Sequence, residues 1–175
     1  MVNRVKVKFD GKKFGQRLFN RIAEEQTERL IEYAKEEIVR IVESKAFDDR
    51  TANLSDSYVW CVYFDNKRKG FGYYGNRKAK TVSYLHEYSR PMRQRLDGGR
   101  NLAKQFADFF YVPTTPKGWE IVFAAVIPYG AYLEEGFTFH GRRYQFNVMS
   151  QRYDHIKNTL SPLCKVTFEV HTPKY

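Results

Sequence analysis

The sequence predicts an α+β fold in which an antiparallel β-sheet packs against a long N-terminal amphipathic helix, with a second, shorter helix after the sheet. Three observations support this class. Apolar residues recur at helical spacing between positions 14 and 46, and Tyr58–Phe64 is a run of aromatic and β-branched residues that is typical of a strand. Further strand patterns follow at hairpin distance, without regular β-α-β alternation. We expect residues 1–175 to form a single domain, with the helix covering one face of the sheet.

The long helix is predicted from an apolar stripe and from charges on the opposite side. Arg21 with Glu25 and Glu36 with Arg40 stand four residues apart, the spacing of helix-stabilising ion pairs. No proline interrupts the region, so one helix of about 32 residues is favoured, although a break near residues 24–28 is the alternative. Such a helix exceeds what a compact core needs, so we expect it to line a neighbouring subunit. The stripe consists of Leu18, Ile22, Leu30, Ala34, Ile38, Ile41 and Val42.

The remaining elements are predicted from alternation and from turn residues. Apolar and basic residues alternate from Arg4 to Phe9, which indicates a half-buried strand ending at Asp10. A turn at 65–70 followed by a strand at 71–74 would complete a hairpin with Tyr58–Phe64. Later segments predict a strand at 119–126, a short helix at 102–110, a helix within 143–160 and a last strand at 165–171.

Composition restricts the classes of partner. The net charge is +10 and the isoelectric point is near 9.6, which favours acidic partners such as nucleic acid or an acidic protein face. Cys61 and Cys164 have no metal-ligand spacing, which fits a reducing compartment. The longest clearly apolar run, residues 121–127, is far shorter than the ~20 residues of a membrane-spanning helix. We expect a soluble protein without a membrane partner.

The sequence offers no catalytic set. His86-Glu87 begins like a zinc-protease motif, but Arg90 stands where the second histidine ligand would be required. Glu134 and Glu135 are adjacent, so their side chains point apart and form no acid/base pair by themselves. We therefore expect no enzyme activity, no metal and no cofactor. A nuclease or toxin-like activity is an alternative, and it would need one polar cluster around His86, Glu87, His140 or Glu134.

Three glycines, at 70, 72 and 75, have a spacing that is also found in nucleotide-binding proteins. Residues 70–75 reproduce the spacing Gly-x-Gly-x-x-Gly, which in nucleotide-binding proteins joins a strand to a helix. Here the pattern lies in a basic, aromatic hairpin, so no phosphate-binding loop is predicted.

Positive charge is concentrated in one internal segment. Between Asp65 and Lys104, eleven basic residues stand against three acidic ones, a net +8 of the chain's +10. Aromatic residues are interleaved, as on surfaces that contact phosphates, while a solvated excursion or a loop on an acidic neighbour is the alternative. Residues 76–117 are interpreted as a basic insertion, and any DNA contact should be independent of sequence. The candidate DNA-facing or acidic-partner-facing residues are Lys67, Arg68, Lys69, Arg77, Lys78, Lys80, Arg93 and Arg95.

Two short segments carry a resemblance. The first is Arg50-Thr51-Ala52-Asn53-Leu54-Ser55-Asp56-Ser57, and the second is Ile127-Pro128-Tyr129-Gly130-Ala131-Tyr132-Leu133-Glu134-Glu135-Gly136. Their order after a long helix resembles the neck and tail-completion (head-tail connector) proteins of tailed bacteriophages. That family typically shows an Arg-Thr-Gly-x-Leu-x-x-Ser-like segment, followed by a Tyr-Ala-x-Tyr-x-Glu-x-Gly-Thr-like segment. Here Ala52 replaces the common glycine, Gly130 is interposed, and Phe137 precedes Thr138.

The resemblance implies a structural virion protein of the head-tail junction, made in the host cytoplasm. It implies a homo-oligomeric ring that joins connector or adaptor proteins to tail-terminator or tail-tube proteins, and that surrounds DNA without reading its sequence. A nucleic-acid-binding protein that acts outside a virion is the alternative. The candidate interface or motif residues are Arg50, Leu54, Tyr129, Tyr132, Glu134 and Gly136, although packing of these loops within one subunit explains each residue equally well.

Overall fold

The computed structural model describes residues 10–44, 53–75, 98–126, 134 and 136–170. Within these ranges the fold is mixed α+β, with a long N-terminal helix, a four-stranded sheet and shorter helices, as the sequence predicts. The predicted strand before Asp10 lies outside the described residues. The elements are α1 Gly11–Glu43, α2 Asn53–Asp56, β1 Tyr58–Phe64, β2 Lys67–Tyr73, α3 Gly98–Gln105, a π-helix Phe106–Phe110, β3 Trp119–Ala125, β4 Phe137–Phe139, β5 Arg142–Tyr144, α4 Ser150–Leu160 and β6 Lys165–Val170.

Helix α1 is continuous over 33 residues, so the alternative of a break near 24–28 is not realised. The Asp10 side chain caps its first turn by accepting a hydrogen bond from the Lys13 amide at 3.1 Å. The predicted apolar stripe is wrong at its first two residues, because the Leu18 and Ile22 side chains are 49% and 48% exposed instead of buried. A helix turns by about 100° per residue, so every fourth residue advances by about 40° and the stripe winds around the axis. Within α1, only residues from Ala23 onward are buried.

The main sheet has the strand order β2-β1-β3-β6. Strand β1 pairs antiparallel with β2 and β3, as predicted, whereas β6 runs parallel to β3, so the sheet is mostly antiparallel and not entirely so. The reason is the connection from β3 to β6, which is long and contains α4. Such a crossover returns the chain to the starting edge and allows parallel pairing. A separate two-stranded sheet pairs β4 with β5.

The hairpin between β1 and β2 is tighter than the sequence suggests. Asp65 and Asn66 both have positive φ, at 48° and 60°, as in the two-residue turns that match strand twist. Strand β2 therefore begins at Lys67, and the basic residues expected in a turn lie in the strand itself.

Both faces of the sheet are covered. Helix α1 packs on one face together with α4, and the core there includes Trp60, Phe123 and Ile156. The opposite face packs against α3 and the π-helix, where Ala103 and Phe106 are buried. Part of the predicted insertion, residues 98–110, thus contributes to the core of the fold. Residues 76–97 lie outside the described ranges.

The glycines of β2 have a packing role. An added Cβ at Gly72 would lie 2.9 Å from three atoms of the Trp60 indole, and one at Gly70 would lie 2.9 Å from the end of Ile31. Trp60 is 4% exposed, so its ring has little room to move. The spacing that superficially matches a nucleotide-binding loop therefore makes space for a buried indole on a neighbouring strand.

Candidate functional site

The carboxylate of Asp56 joins three segments of the chain. Its Oδ2 lies 2.6 Å from Nε of Arg100, and its Oδ1 accepts a hydrogen bond from the Gly75 amide at 3.1 Å. The side chain of Asp56 is only 5% exposed, so the ion pair is shielded from water on the carboxylate side. Gly75 and Arg100 flank residues 76–97. The two ends of that basic segment are therefore held at one buried carboxylate within the first motif.

The basic residues of β2 divide between the two sides of the strand. Arg68 forms an ion pair with Asp108 at 2.8 Å and also donates to the Ala107 carbonyl, so it attaches β2 to the π-helix. Lys69 lies on the other side, with Nζ 6.0 Å from the centre of the Phe64 ring. Lys67 and Lys69 are exposed. Only these two lysines of the triplet remain available to a partner, because Arg68 has a structural role.

The other candidates of the basic segment are not placed. Arg77, Lys78, Lys80, Arg93 and Arg95 all lie outside the described residues. Of the eleven cations counted between Asp65 and Lys104, Arg68 and Arg100 are neutralised by Asp108 and Asp56, which both lie outside that interval. The excess of positive charge that this region presents is therefore smaller than the sequence count indicates.

Glu134, from the second motif, caps helix α4. Its Oε1 accepts a hydrogen bond from the Met149 amide at 2.9 Å, and its Oε2 accepts from the Ser150 hydroxyl at 3.1 Å. The Ser150 amide lies 3.4 Å from Oε2. A carboxylate at this end of a helix satisfies unpaired amides and interacts favourably with the helix dipole. Glu134 is 9% exposed, so its observed function lies within the subunit.

Gly136 allows the chain to turn from this cap into the small hairpin β4-β5. Its φ is +92°, in the region that favours glycine. An added Cβ would lie 2.9 Å from the Tyr144 carbonyl oxygen, so the position also lacks space for a side chain. Gln145 donates to the carbonyl of Glu134 at 3.1 Å and fixes the same bend. Glu134 and Gly136 thus act together to set the path of the chain into α4.

The remaining motif residues are largely outside the described part of the chain. Arg50, Tyr129 and Tyr132 fall there, and of Leu54 only the backbone, in α2, is described. The backbone nevertheless links the two motif regions, because the Val126 amide donates to the Ser57 carbonyl at 3.1 Å. This bond joins the entrance of β1 to the exit of β3.

The nucleophilic and metal-ligating side chains do not assemble into a reactive centre within the described ranges. Burial raises the pKa of Cys61 to about 12, although the neighbouring Tyr63 hydroxyl opposes that rise, and burial alone raises the pKa of Cys164 to about 12. Both thiols are therefore protonated and poor nucleophiles at neutral pH. No group of three metal-ligating side chains occurs among the described residues. His86, named in the nuclease alternative, lies outside them.

Glu120 is a buried carboxylate that the sequence does not identify as a site residue. It is 1% exposed and accepts hydrogen bonds from the Tyr111 hydroxyl at 2.6 Å and from the Thr114 and Thr115 amides at 2.8 and 3.0 Å. Burial alone would raise the pKa of Glu120, but the hydrogen bonds from Tyr111 and these amides outweigh it and lower the pKa. The network immobilises the segment that leads into β3, and it is structural.

Glu37 is also a buried carboxylate, and it joins α1 to α4. Its side chain is fully buried, and Arg152 lies 2.6 Å away through Nε, while Arg40 contacts its other oxygen at 3.0 Å. A signal exists in the sequence, since Glu37 stands between Ala34 and Ile38 of the apolar stripe. Its partner, 115 positions away, is not identifiable from spacing.

Comparisons with known proteins add no family. A scan of protein-family models, a search of curated proteins and a search of solved structures found no significant match to this chain. Among the described helices, none combines the length and apolar character required to cross a membrane.

Proposed function

We propose that this chain is a structural protein of the phage head-tail junction that forms a ring between connector and tail components. The order of the two motifs after a long helix supports the proposal. Their use in the structure adds to it, because Asp56, Ser57, Glu134 and Gly136 hold strand and helix ends in fixed positions. A scaffold of this kind works through shape, and it requires no reacting group.

The observation that carries the proposal is the projection of α1 from the sheet. Every residue from Gly11 to Ile22 is exposed, which corresponds to about 18 Å of helix beyond the buried face. A protein acting alone gains little stability from three turns of helix in which every residue is exposed, because helices are stabilised chiefly by packing. A subunit of an assembly has neighbours against which such a helix can pack.

The ring would be built from contacts that repeat from one subunit to the next. Contacts between two different surfaces of the same protein close into a ring when the rotation between subunits is suitable. The partners would be connector or adaptor proteins on one side and tail-terminator or tail-tube proteins on the other. Lys67, Lys69 and the basic residues of 76–97 would face the DNA channel or an acidic partner ring.

The experiment that tests this function measures assembly. The purified full chain is combined with candidate connector-ring and tail-terminator proteins, and the products are analysed by native mass spectrometry and electron microscopy. The expected result is a cyclic complex of this chain that forms on one of those rings. A chain that joins none of them, while those rings assemble with one another directly, would contradict the proposal.

The second candidate function is sequence-independent nucleic-acid binding outside a virion, which the net charge of +10 favours. If this function is correct, the isolated chain should bind unrelated DNA duplexes with equal affinity, and that affinity should fall steeply as the salt concentration rises. Replacing Lys67 and Lys69 by glutamate should then reduce the slope of that salt dependence by about one unit for each phosphate that the variant no longer touches. The assembly function instead expects little DNA binding by the free subunit.

A further inference from the structure

The first three turns of α1 carry an apolar patch that the fold leaves uncovered. Leu18, Phe19 and Ile22 are 49%, 54% and 48% exposed. The ring centre of Phe19 lies 6.5 Å from that of Phe64, at the end of the sheet. Ala34, by contrast, is fully buried about four turns later, and it lies about 160° around the axis from Leu18. Leu18 and Ile22 therefore face away from the layer that packs on the sheet, whereas Phe19 lies only about 60° from Ala34 and turns toward the end of the sheet.

The charges of α1 are segregated along the helix on which this patch lies. Residues 11–22 contain Lys12, Lys13, Arg17 and Arg21 and no acidic residue. The next three turns contain Glu24, Glu25, Glu28 and Glu32, with Arg29 as the single basic residue between 23 and 34. The first half of this stretch is thus basic, and the second half is acidic.

Some of these charged side chains form ion pairs within the subunit, and others do not. Arg21 is paired with Glu25 at 3.1 Å and Glu32 with Lys35 at 2.6 Å. Among the described residues, Arg17, Glu24 and Glu28 form no ion pair. Exposed pairs contribute little individually, so their value to an interface lies in selecting orientation and partner.

We propose that residues 12–28 of α1 bind a second copy of this chain, with the two helices antiparallel and crossing near Asn20. This orientation places Leu18 of one copy beside Ile22 of the other and covers both apolar patches. It also places Arg17 of one copy near Glu24 of the other, on the same flank of the interface, and the basic half of each helix along the acidic half of its partner. A parallel arrangement would oppose like charges along the whole interface.

The symmetry of this interface has a consequence for assembly. The same surface is used on both copies, so the interface closes with two subunits and cannot by itself generate a ring. It uses the same exposed part of α1 that supports the ring proposal, so the dimer would be a form of the free subunit that opens when a ring neighbour takes its place. It would hold free subunits as dimers.

Reciprocal charge variants of the purified full chain test this proposal. One variant carries Lys12→Glu, Lys13→Glu and Arg17→Glu, so that both halves of its helix are acidic. The other carries Glu24→Lys, Glu25→Lys and Glu28→Lys, so that both halves are basic. Sedimentation velocity should show the wild type as a dimer whose dissociation constant rises with salt. Each variant alone should be monomeric, and an equimolar mixture should form a heterodimer.

The apolar centre of the interface is tested separately. Leu18→Glu combined with Ile22→Glu should weaken dimerisation by about tenfold or more, since buried apolar anchors dominate such interfaces. Leu163→Glu is the matched control, because Leu163 is 57% exposed but lies beyond α4, and it should leave the dimer unchanged. Circular dichroism should show the same helix content in all variants.

Three results would overturn the proposal. The wild type could remain monomeric at every concentration, the charge variants could fail to associate when mixed, or the Leu18/Ile22 variant could dimerise like the wild type. A monomeric wild type would leave the exposed part of α1 available to a ring neighbour, so it would contradict only the dimer. Absence of the ring with an intact dimer would in turn contradict only the proposed function.

Discussion

The carboxylate of Glu134 accepts a hydrogen bond from the backbone amide of Met149, 2.9 Å away and immediately before the first residue of α4. Fifteen positions of chain separate the two residues, and the hairpin β4-β5 lies between them. The bond converts a glutamate of the second motif into the N-terminal cap of a helix that packs on the sheet. The geometry of this loop therefore sets the position of α4.

Replacement of Glu134 by alanine should destabilise the fold by about 1–2 kcal/mol, because the buried Met149 amide at the start of α4 is left without its acceptor. Glu134→Gln should destabilise it less, since an amide oxygen still accepts one of the bonds. Chemical denaturation followed by circular dichroism measures both values. Glu32→Ala, in an exposed pair with Lys35, serves as the control and should change stability by no more than about 0.5 kcal/mol. Equal effects at both positions would contradict the capping role.

The close approach of Gly72 to Trp60 gives a second prediction. Gly72→Ala should cost about 1–3 kcal/mol, because the new methyl group would overlap the indole at 2.9 Å. Gly15→Ala is the matched control, since nothing lies within 4 Å of its added Cβ and the position is in the exposed part of α1. That control should stabilise the protein by about 0.5–1 kcal/mol. Thermal unfolding of both variants tests the contrast in sign.

The different roles of Arg68 and of its neighbours Lys67 and Lys69 in β2 give a third prediction. Arg68→Gln should lower stability by about 1 kcal/mol, because Asp108 is left without its partner in a pair that is about one-third exposed. Lys67→Gln with Lys69→Gln should change stability by less than about 0.5 kcal/mol. A double-mutant cycle with Asp108→Asn should show coupling for Arg68 and none for Lys67. Additive effects of Arg68 and Asp108 would show that their ion pair is energetically unimportant.

Glu169 gives a prediction for pH dependence. Burial raises the pKa of Glu169 above its ordinary value, and the negative charge of Glu120 acts in the same direction. A raised pKa in the folded state means that ionisation of this group costs stability at neutral pH, and that the cost disappears once the pH falls below its ordinary pKa. Glu169→Gln should therefore stabilise the fold at pH 7, and this gain should vanish in acid.

Glu120 provides the comparison for that measurement. Its pKa is lowered because hydrogen bonds to the carboxylate outweigh burial, so the stability it contributes is present above its ordinary pKa and disappears as the pH falls. Glu120→Gln should destabilise the protein at pH 7 and make little difference in acid. Urea denaturation across this pH range measures both variants. A gain for Glu169→Gln that persists in acid would contradict the electrostatic explanation.

The local elements are predictable because their signals are local. The strand at Tyr58–Phe64 has the bounds that its aromatic and β-branched run indicates, and the long helix begins and ends within three residues of the prediction. Asp65 and Asn66 belong to the predicted turn, although their positive φ values make that turn shorter than expected. Helix α4 is predicted only within a longer range, and it starts where Glu134 supplies a cap.

The ion pairs of the candidate site cannot be predicted from the sequence, because a count of charged residues does not show which of them pair with each other. Arg68 and Arg100 count as excess cations in the sequence, yet each pairs with a carboxylate outside the basic segment. The partners of Glu37 and Glu120 cannot be read from the sequence for the same reason.

Side-chain periodicity and composition are enough to establish the class of fold, the long helix, the first strand of the sheet and the basic character of the chain. They do not establish that β6 pairs parallel to β3, that residues 98–110 cover the second face of the sheet, or that Leu18 and Ile22 stay exposed. Those features required the folded arrangement, because burial and pairing depend on which distant segments meet. Helical periodicity states where an apolar side chain lies around an axis, but not whether another surface is there to cover it.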